Sequence, residues 1–592
     1  MATPDPTQPN YAFVDSRRLT GPNRYFHEPA VILTARGRAA GDARALEAWA
    51  ERVRFAAAAL GWAQPLPVID RRAAETFLVF RAPPDVLMTA TELNEWAWEH
   101  AAAAAGENSF ERAHAFGDEF VGILATRAAA ERRPELAALR EAARERGLPY
   151  LEDDEHVSVG AGTGSRTWLR SAAPAPDRVP WEILHDIPTV LVAGSNGKTT
   201  TVRLLAAMAA AAGAKPGYCC TEGVFVGSAA IEFGDYSGPV GARSVLRRTD
   251  VELAVLETAR GGVLRRGLAV ERADVAVVTN IRADHLGEYG IETPRDLAEV
   301  KLVVARTLRG GTLVLNADDD TLIAAAGRLP HLAAARHALF AHAYDHPALV
   351  ALRGHGGRTC GVRRGCLVLS LGGEELEVGA VEELPLTIGG AARHSVANLA
   401  AAALAGIALG LPPAAVLGTL RRFGTDPLDN PGRLERWQYR GAVVLLDYAH
   451  NPDGLEQLLA TARALHPKRL SLLLGQAGNR DDEAIGELAR MAVRFSPDRV
   501  VIKELPRMLR GRSFGEVPRL IESALRHAGL PADRIYCEPD EEAAARHLLS
   551  GAQAGEVIVL PVHTREVRER IHAALGAGSV GKGHDSNHIL DR

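Results

Sequence analysis

Aromatic side chains are scarce in this chain, at 5% of 592 residues, so its elements must pack largely through small and aliphatic groups. Cysteine is scarcer still. Cys219, Cys220, Cys360, Cys366 and Cys537 form no C-x-x-C pair, and their odd number argues against a disulfide framework. They read as reduced, structural thiols of a cytoplasmic protein. No sign of charge dominates: 68 Lys and Arg stand against 73 Asp and Glu, a net charge of −5. That balance gives no electrostatic reason to expect nucleic acid or an anionic membrane as a partner. The opening MATPDPTQPNYAFVDSRR has no apolar core and so is no secretory signal. Leu399–Leu420 is long and apolar enough to span a bilayer, but Gly410-Leu-Pro-Pro413 stops one helix and starts another. Two short buried helices are expected there, in a soluble protein whose oligomeric state the sequence leaves open.

What is present is an ordinary globular composition, 47% hydrophobic and 24% charged, in a chain long enough for roughly three or four domains. Residues 1 to about 178 hold a polar start, the segment Arg17-Arg-Leu-Thr-Gly-Pro-Asn23 and a strand candidate at Ala30–Thr34. Helical periodicity covers Asp42–Ala63, and one or two charged helices are expected over 111–147. Ser171-Ala-Ala-Pro-Ala-Pro176 has the composition of a linker. From Ile187 short apolar runs alternate with helical stretches: Thr189–Ala193, Ala254–Glu257, Val275–Thr279 and Thr312–Leu315. Such runs suit buried parallel strands in βαβ units. Residues 346–389 read as a small β insertion, and a further α/β unit starts near Pro431. Its strands are expected at Ala442–Leu446, Leu470–Leu474, Val500–Ile502 and Val557–Leu560.

One stretch carries chemistry on its face. In Val192-Ala-Gly-Ser-Asn-Gly-Lys-Thr-Thr-Thr201 a strand ends and a helix begins around Gly194-Ser195-Asn196-Gly197-Lys198-Thr199-Thr200. Backbone N–H groups and the positive helix end favour an anion there. Gly194 and Gly197 let the backbone approach phosphate oxygens, Lys198 neutralises them, and Thr199 or Thr200 can ligate Mg²⁺. Measured against G-x-x-x-x-G-K-[ST], the first glycine is displaced, because Val192 stands where that pattern wants it. Glu257 and Asp284-His285 follow later strands and are candidates for holding a metal at neighbouring strand ends.

The loop, Asn280…Asp284-His285, Asn316-Ala-Asp-Asp319, His394-Ser-Val-Ala-Asn398, Gly432-Arg433 and Asp447-Tyr-Ala-His-Asn-Pro452 together resemble the motif series of the Mur ligases. These are ATP-dependent amide ligases related to folylpolyglutamate synthase, and the motifs keep the family's order over about 190 to 480. A narrower resemblance joins Glu257–Leu268, Thr279–Gly287, Lys503-Glu504 with Arg510-Gly-Arg512, and Arg18–Asn23 to cyanophycin synthetases. Those enzymes carry an ATP-grasp module between the matching parts, and here only about ten linker residues stand in its place.

The resemblance implies an α/β fold of three domains in line. An α+β N-terminal domain would cover 1–178 and a central P-loop ATPase with a mostly parallel sheet 179–424. A C-terminal Rossmann-like domain would cover 425–578, before a polar tail at 579–592. It implies ATP and Mg²⁺: Lys198 on the phosphates, and Thr199, Glu257 and His285 around metal. Asn398 would meet adenine, and Arg433 and Asp447 phosphates and ribose. Arg260, Asn280, Asp284, His450, Asn479, Arg480 and Asp481 would line the substrate cleft. Lys301 lies sixteen residues after His285, near where several Mur ligases carry a carbamoylated lysine. The implied reaction is ATP-dependent joining of a carboxylate to an amine on an amino acid or peptide, through an acyl phosphate. Two alternatives stay open: a cyanophycin-related ligase coupling an aspartate-type carboxylate to arginine or a similar amine, and a non-catalytic ATP-binding assembly subunit.

Overall fold

The computed structural model describes residues 13–106, 119–284 and 286–578. The N-terminal twelve residues, the start of the stretch 111–147, His285 and the tail 579–592 lie outside the described residues. The chain divides into two compact units. One holds residues up to 361 with 369–376 and 400–416; the other holds 362–368, 377–399 and everything from 417.

The first unit opens with an antiparallel sheet of β1 (Phe13–Leu19), β2 (Ala30–Ala35), β3 (Val68–Arg71) and β4 (Thr76–Arg81), in the order β1-β2-β4-β3. Period-two alternation sends Val31, Leu33 and Ala35 of β2 to one face and Ala30 and Ile32 to the other. On the first face lie the helices Ala43–Ala59 and Leu87–Ala104, which bury Trp49, Trp96 and Trp98. Asp42 caps the first of these by accepting from the Arg44 N–H at 2.9 Å. The described part of the charged stretch forms two helices, Phe120–Glu131 and Pro134–Glu145. A three-stranded sheet follows, β5 (Tyr150–Glu152), β6 (His156–Val159) and β7 (Arg166–Leu169), which the sequence reading did not anticipate.

The large sheet of this unit is built on β8 (Thr189–Ala193), β9 (Pro216–Cys220), β10 (Gly223–Val226), β11 (Ala229–Phe233), β12 (Leu253–Glu257), β13 (Ala273–Val278), β14 (Leu308–Asn316) and β15 (Arg336–Ala343). Their spatial order is β11-β10-β9-β12-β8-β13-β14-β15, parallel from β9 to β15. Every residue of β8 and β12 is buried, as expected of strands covered on both faces. The order matters for function. From β8 the chain runs outward to β9, returns through β12, then crosses to β13 on the other side. The carboxyl end of β8 is therefore a topological switch point, flanked by the ends of β12 and β13.

Residues 346–389 contain the helix Pro347–Gly354 and the strands β16 (Arg358–Arg363), β17 (Cys366–Leu371) and β18 (Glu375–Ala380). The division between the units runs through these strands. Leu399–Leu420 forms two helices, Arg393–Ala408 and Pro413–Arg422, as Gly410-Leu-Pro-Pro413 predicts. Among the described residues no helix is long and apolar enough to cross a membrane.

The second unit is centred on β19 (Glu435–Tyr439), β20 (Ala442–Asp447), β21 (Arg469–Leu474), β22 (Arg499–Ile502), β23 (Ile535–Cys537) and β24 (Glu556–Pro561). The order is β19-β20-β24-β21-β22-β23, and β19–β20 is the antiparallel pair. Helices such as Pro452–Ala464 and Asp482–Arg494 bury leucine-rich faces on one side of this sheet. On the other side, Glu541–Ser550 and Arg565–Gly578 cover Val444, Leu473 and Ile558.

Candidate active site

The phosphate loop joins β8 directly to the helix Lys198–Ala211. Its two glycines have separate reasons. Gly194 has φ +144°, and a Cβ there would lie 1.9 Å from the Thr279 hydroxyl. Gly197 has φ +85° and stands at the helix N-terminus, where the left-handed turn admits glycine cheaply. The displaced glycine therefore marks where the loop passes closest to β13. Val192, in the place of the missing glycine, is a fully buried strand residue whose carbonyl accepts from the Thr258 N–H at 2.8 Å.

The end of β13 holds the loop from beside it. Thr279 Oγ1 donates to the Asn196 carbonyl at 2.6 Å, and the Asn280 side-chain amide donates to the same oxygen at 3.1 Å. Asn280 Oδ1 accepts from the Asn196 N–H at 3.0 Å, and its backbone carbonyl from the Ser195 N–H at 2.9 Å. Asn280, expected near substrate, thus has its side-chain amide engaged in fixing the phosphate loop. Ser195 Oγ accepts from the Arg282 N–H at 2.9 Å. Asp319, buried at the start of the helix Asp320–Ala326, accepts from the Ile281 N–H at 2.7 Å and so anchors this crossing from behind.

Glu257 ends β12 and is 2% exposed. Its Oε2 accepts from the Thr199 hydroxyl at 2.7 Å, and Thr199 Oγ1 lies 3.2 Å from the Thr221 hydroxyl. Its Oε1 is buried with no hydrogen-bond partner among the described residues. A desolvated carboxylate oxygen left unpaired is costly. A hard cation beside Thr199 and Glu257 satisfies it, so these donors fit Mg²⁺. Among the described residues no group of three or more His, Cys, Asp or Glu is gathered to hold a metal, and His285 lies outside them.

Two lysines curl onto the loop. Lys198 Nζ donates to the Ser195 carbonyl at 2.9 Å, and Lys301 Nζ to the Gly194 carbonyl at 2.7 Å. Lys301 is buried at the end of the helix Pro294–Lys301. Burial holds its amine well below the ordinary lysine range, and the Lys198 and Arg260 charges push the same way against Asp284 and Glu257. Arg260, the first residue of the helix Arg260–Arg266 that follows β12, pairs with Glu288.

In the second unit Asp447 ends β20, and its Oδ2 accepts from the Leu434 N–H at 2.6 Å. Desolvation raises the Asp447 carboxyl, opposed by the Arg433 charge and by the N–H groups of Leu434, Ala449 and Tyr448. The Arg433 guanidinium lies over the Tyr448 ring, 4.3 Å from its centroid. The His450 carbonyl accepts from the Gln476 amide at 3.0 Å, which ties 447–450 to the turn carrying Asn479-Arg480-Asp481. Arg433, Asp447 and His450 therefore converge, and Arg433 borders a cavity of about 410 Å³ with Leu386, Ile388, Asp426 and Asn430. Asp481 caps the helix Asp482–Arg494, accepting from the Ala484 N–H at 2.8 Å, while Asn479 is exposed. Asn398 is buried on Arg393–Ala408, the helix through which the unit boundary passes.

With this geometry in view, the comparisons with known proteins are specific. The Mur ligase middle domain model matches residues 192–406, and the Mur ligase glutamate ligase domain model matches 432–561. The chain belongs to the Mur ligase family. Cyanophycin synthetase of Synechocystis is 34% identical over 433 residues, 71% of this chain and 49% of that protein. The chain thus spans about half the length of the curated relatives of that name. The UDP-N-acetylmuramoyl-L-alanyl-D-glutamate–2,6-diaminopimelate ligase of Chlorobaculum tepidum is 27% identical, over 64% of this chain and 72% of that protein. Among solved structures, E. coli FolC in complex with ADP superposes with a TM-score of 0.46 at 19% identity, over 66% of this chain and 89% of that one.

Within this Mur ligase chain several supporting residues escaped the sequence reading. Thr221 is a single threonine without a motif spacing, and Thr279 opens a resembling stretch that gives it no role; their contacts with Thr199 and Asn196 supply one. Lys503 had a visible signal, the Lys503-Glu504 pair. Its Nζ is fully buried, pairs with Glu541, donates to the Pro561 carbonyl at 2.5 Å and meets His563 Nδ1 at 3.0 Å. His563 Nε2 in turn lies 3.2 Å from the Ala449 carbonyl, beneath the Asp447–His450 turn. Arg512 grips the neighbouring turn, donating to the Gly478 and Arg480 carbonyls at 3.0 and 2.7 Å.

Proposed function

We propose that this chain is an ATP-dependent, ADP-forming ligase that joins a carboxylate to an amine on an amino acid or peptide substrate. The observation that carries the reading is Thr199 hydrogen-bonded to Glu257 at the switch point, with the unpartnered Glu257 Oε1 directly beside it.

In this reading the loop 194–200 cradles the ATP phosphates and Lys198 swings from the Ser195 carbonyl onto their oxygens. Thr199 and Glu257 hold Mg²⁺, with His285 as a further ligand. Bound there, the ion neutralises charge on phosphate oxygens during phosphoryl transfer. The substrate carboxylate attacks the γ-phosphorus, ADP leaves, and the resulting acyl phosphate is taken by the amine with loss of phosphate. Asn280 and Thr279 act by holding the loop rigid, so that its donors do not reorganise as charge develops. In the second unit Arg433, Asn398 and Asp447 serve the nucleotide, while His450 and the turn at Asn479-Arg480-Asp481 face the substrates. The division into domains at 1–178, 179–424 and 425–578 belongs to the same reading.

Lys301 is the residue proposed for carbamoylation. Burial favours the neutral amine, the form that attacks CO₂, and the carbamate is an anion suited to a dication nearby. A ¹³C carbamate resonance from labelled bicarbonate, lost in Lys301→Ala, checks this.

A second reading, favoured by the 34% identity to cyanophycin synthetase, narrows the substrates to a cyanophycin-related peptide whose acidic side chain receives arginine or a similar amine. The test of both is ADP release across a matrix of carboxylates and amines, with products identified by mass spectrometry. Release with one pair supports the ligase. Binding of ATP without release under every pair overturns it and leaves the ATP-binding assembly subunit. Loss of selectivity for arginine removes the second reading alone.

A further inference from the structure

The N-terminal segment Arg17–Arg24 lies outside both family domains, yet it packs against the segments that carry the candidate site. The Thr20 N–H donates to the Arg266 carbonyl and the Leu268 N–H to the Pro22 carbonyl, both at 2.8 Å. These two bonds lock the segment to the C-terminal end of the helix Arg260–Arg266, which follows Glu257. Contact is close enough to require glycine on both sides. A Cβ on Gly21 would lie 2.2 Å from the Leu268 carbonyl oxygen, and one on Gly267, at φ +77°, would lie 2.8 Å from the Gly21 oxygen.

Three arginines extend this grip. Arg17 is a β1 residue that donates through Nη1 to the Leu264 carbonyl at 2.8 Å, and its guanidinium lies 4.6 Å from the Tyr289 ring centroid. Tyr289 belongs to the short loop that begins at Asp284, and a Cβ on its neighbour Gly290 would lie 2.2 Å from the Phe77 ring of β4. Arg24 pairs with Glu299 at 2.8 Å and with Asp296 at 3.4 Å. Arg72 pairs with Asp296 at 2.5 Å. Asp296 is the capping-box residue of the helix that ends in Lys301. So the small sheet touches the three segments that carry Arg260, Asp284 and Lys301, each at its backbone or cap. Buried, planar arginines on backbone carbonyls and aromatic faces fix geometry more tightly than surface ion pairs do.

We infer that the N-terminal layer is a positioning part of the nucleotide–metal site, acting through Arg17 and Arg24, rather than a separate module attached to it. The inference rests on the metal–nucleotide reading of Thr199 and Glu257. It predicts that loosening the layer's grip changes affinity at a site its side chains do not touch.

The experiment measures binding of Mn²⁺ with ADP to the full chain by electron paramagnetic resonance, beside amide hydrogen exchange. The variants are Arg17→Ala, Arg24→Met and a control, Trp49→Phe. Trp49 is buried in the same layer, where its Nε1 donates to Asn94 at 2.9 Å, and it belongs to none of the gripped segments. The expected result is a roughly tenfold weaker Mn²⁺ dissociation constant in Arg17→Ala and a smaller loss in Arg24→Met. Exchange should quicken at 264–268 and 286–301, with Trp49→Phe unchanged in both. Wild-type binding retained in the two arginine variants overturns the inference, and so does an equal loss in Trp49→Phe, which would make stability alone the cause. Failure of the wild-type chain to bind Mn²⁺–ADP overturns the metal–nucleotide reading itself, a distinct outcome.

Discussion

The switch point of the first unit and the strand-end turns of the second unit are held together in opposite ways. Around the phosphate loop the candidate groups restrain one another: Thr199 with Glu257, Asn280 with Asn196, Lys301 with Gly194. In the second unit the candidates Asp447, His450 and Arg480 sit on turns fixed by residues outside the candidate set. Lys503 reaches the first turn through His563 and Ala449, and Arg512 clasps the second. The contrast teaches where mutation separates chemistry from stability. In the first unit most scaffold bonds are made by site residues themselves. In the second unit a buried ion pair carries the scaffold and the candidates stand on top of it.

The sharpest way to break this comparison is Lys503→Met. The change leaves Glu541 buried without its cation, and removal of one partner of a buried pair typically costs about 3–5 kcal/mol. The urea unfolding transition of the second unit should fall accordingly. A loss below about 1 kcal/mol would show that the scaffold lies elsewhere. Next comes Lys198→Ala, expected to lower ADP release by about 10²–10³-fold while leaving thermal unfolding within about 0.5 kcal/mol, since its one bond is to a local carbonyl. A matching fall in stability would erase the separation between Lys198 and its scaffold.

The pH dependence sharpens the second unit further. Burial holds His394 at about 4, below the ordinary histidine value of 6.5. Between pH 6.5 and 4 the unfolded chain accepts a proton that the folded chain refuses. Stability therefore declines as pH falls through that window, by up to about 3 kcal/mol, and levels off below it. His563, held well below the ordinary histidine value by burial and by the Lys503 charge, adds its own loss as pH falls. His394→Asn should therefore shrink the drop between the pH 7 and pH 4.5 unfolding midpoints without abolishing it, and an unchanged drop would remove His394 as a cause. The smallest effect is expected for Asp481→Ala, which removes a helix N-cap and costs about 1 kcal/mol by urea denaturation. An accompanying large change in the KM of the amine would move Asp481 from cap to substrate contact.

Much of the fold was legible because periodicity is local. The apolar runs at Thr189–Ala193, Ala254–Glu257 and Val275–Thr279 became β8, β12 and β13 with ends within two residues. The elements that went unread were those whose burial is set by neighbours. β9 to β11 alternate weakly, β11 is exposed along its whole length, and β5 to β7 are three or four residues each. At the site, Gly194, Lys198, Thr199 and Glu257 were visible because phosphate and metal chemistry demand those residue types at strand ends. Thr279 and Asp319 stood inside resembling motifs, but their roles as loop anchors came only from their contacts, since a threonine or aspartate after a strand has many ordinary uses.

The sequence by itself determined the chemistry on offer: a glycine-and-lysine loop between strand and helix, a carboxylate at the end of a later strand, and family motifs in order. Those depend on residue identity and on spacings of a few residues, which survive in one dimension. The tertiary structure alone decided which groups meet. It set β8 between β12 and β13, which brings Thr199 to Glu257 across 58 positions of sequence. It also placed Gly194 against Thr279, which explains why the glycine stands two residues late. The choice between strand orders rests on long-range burial and crossover geometry, and no short stretch of residues encodes it.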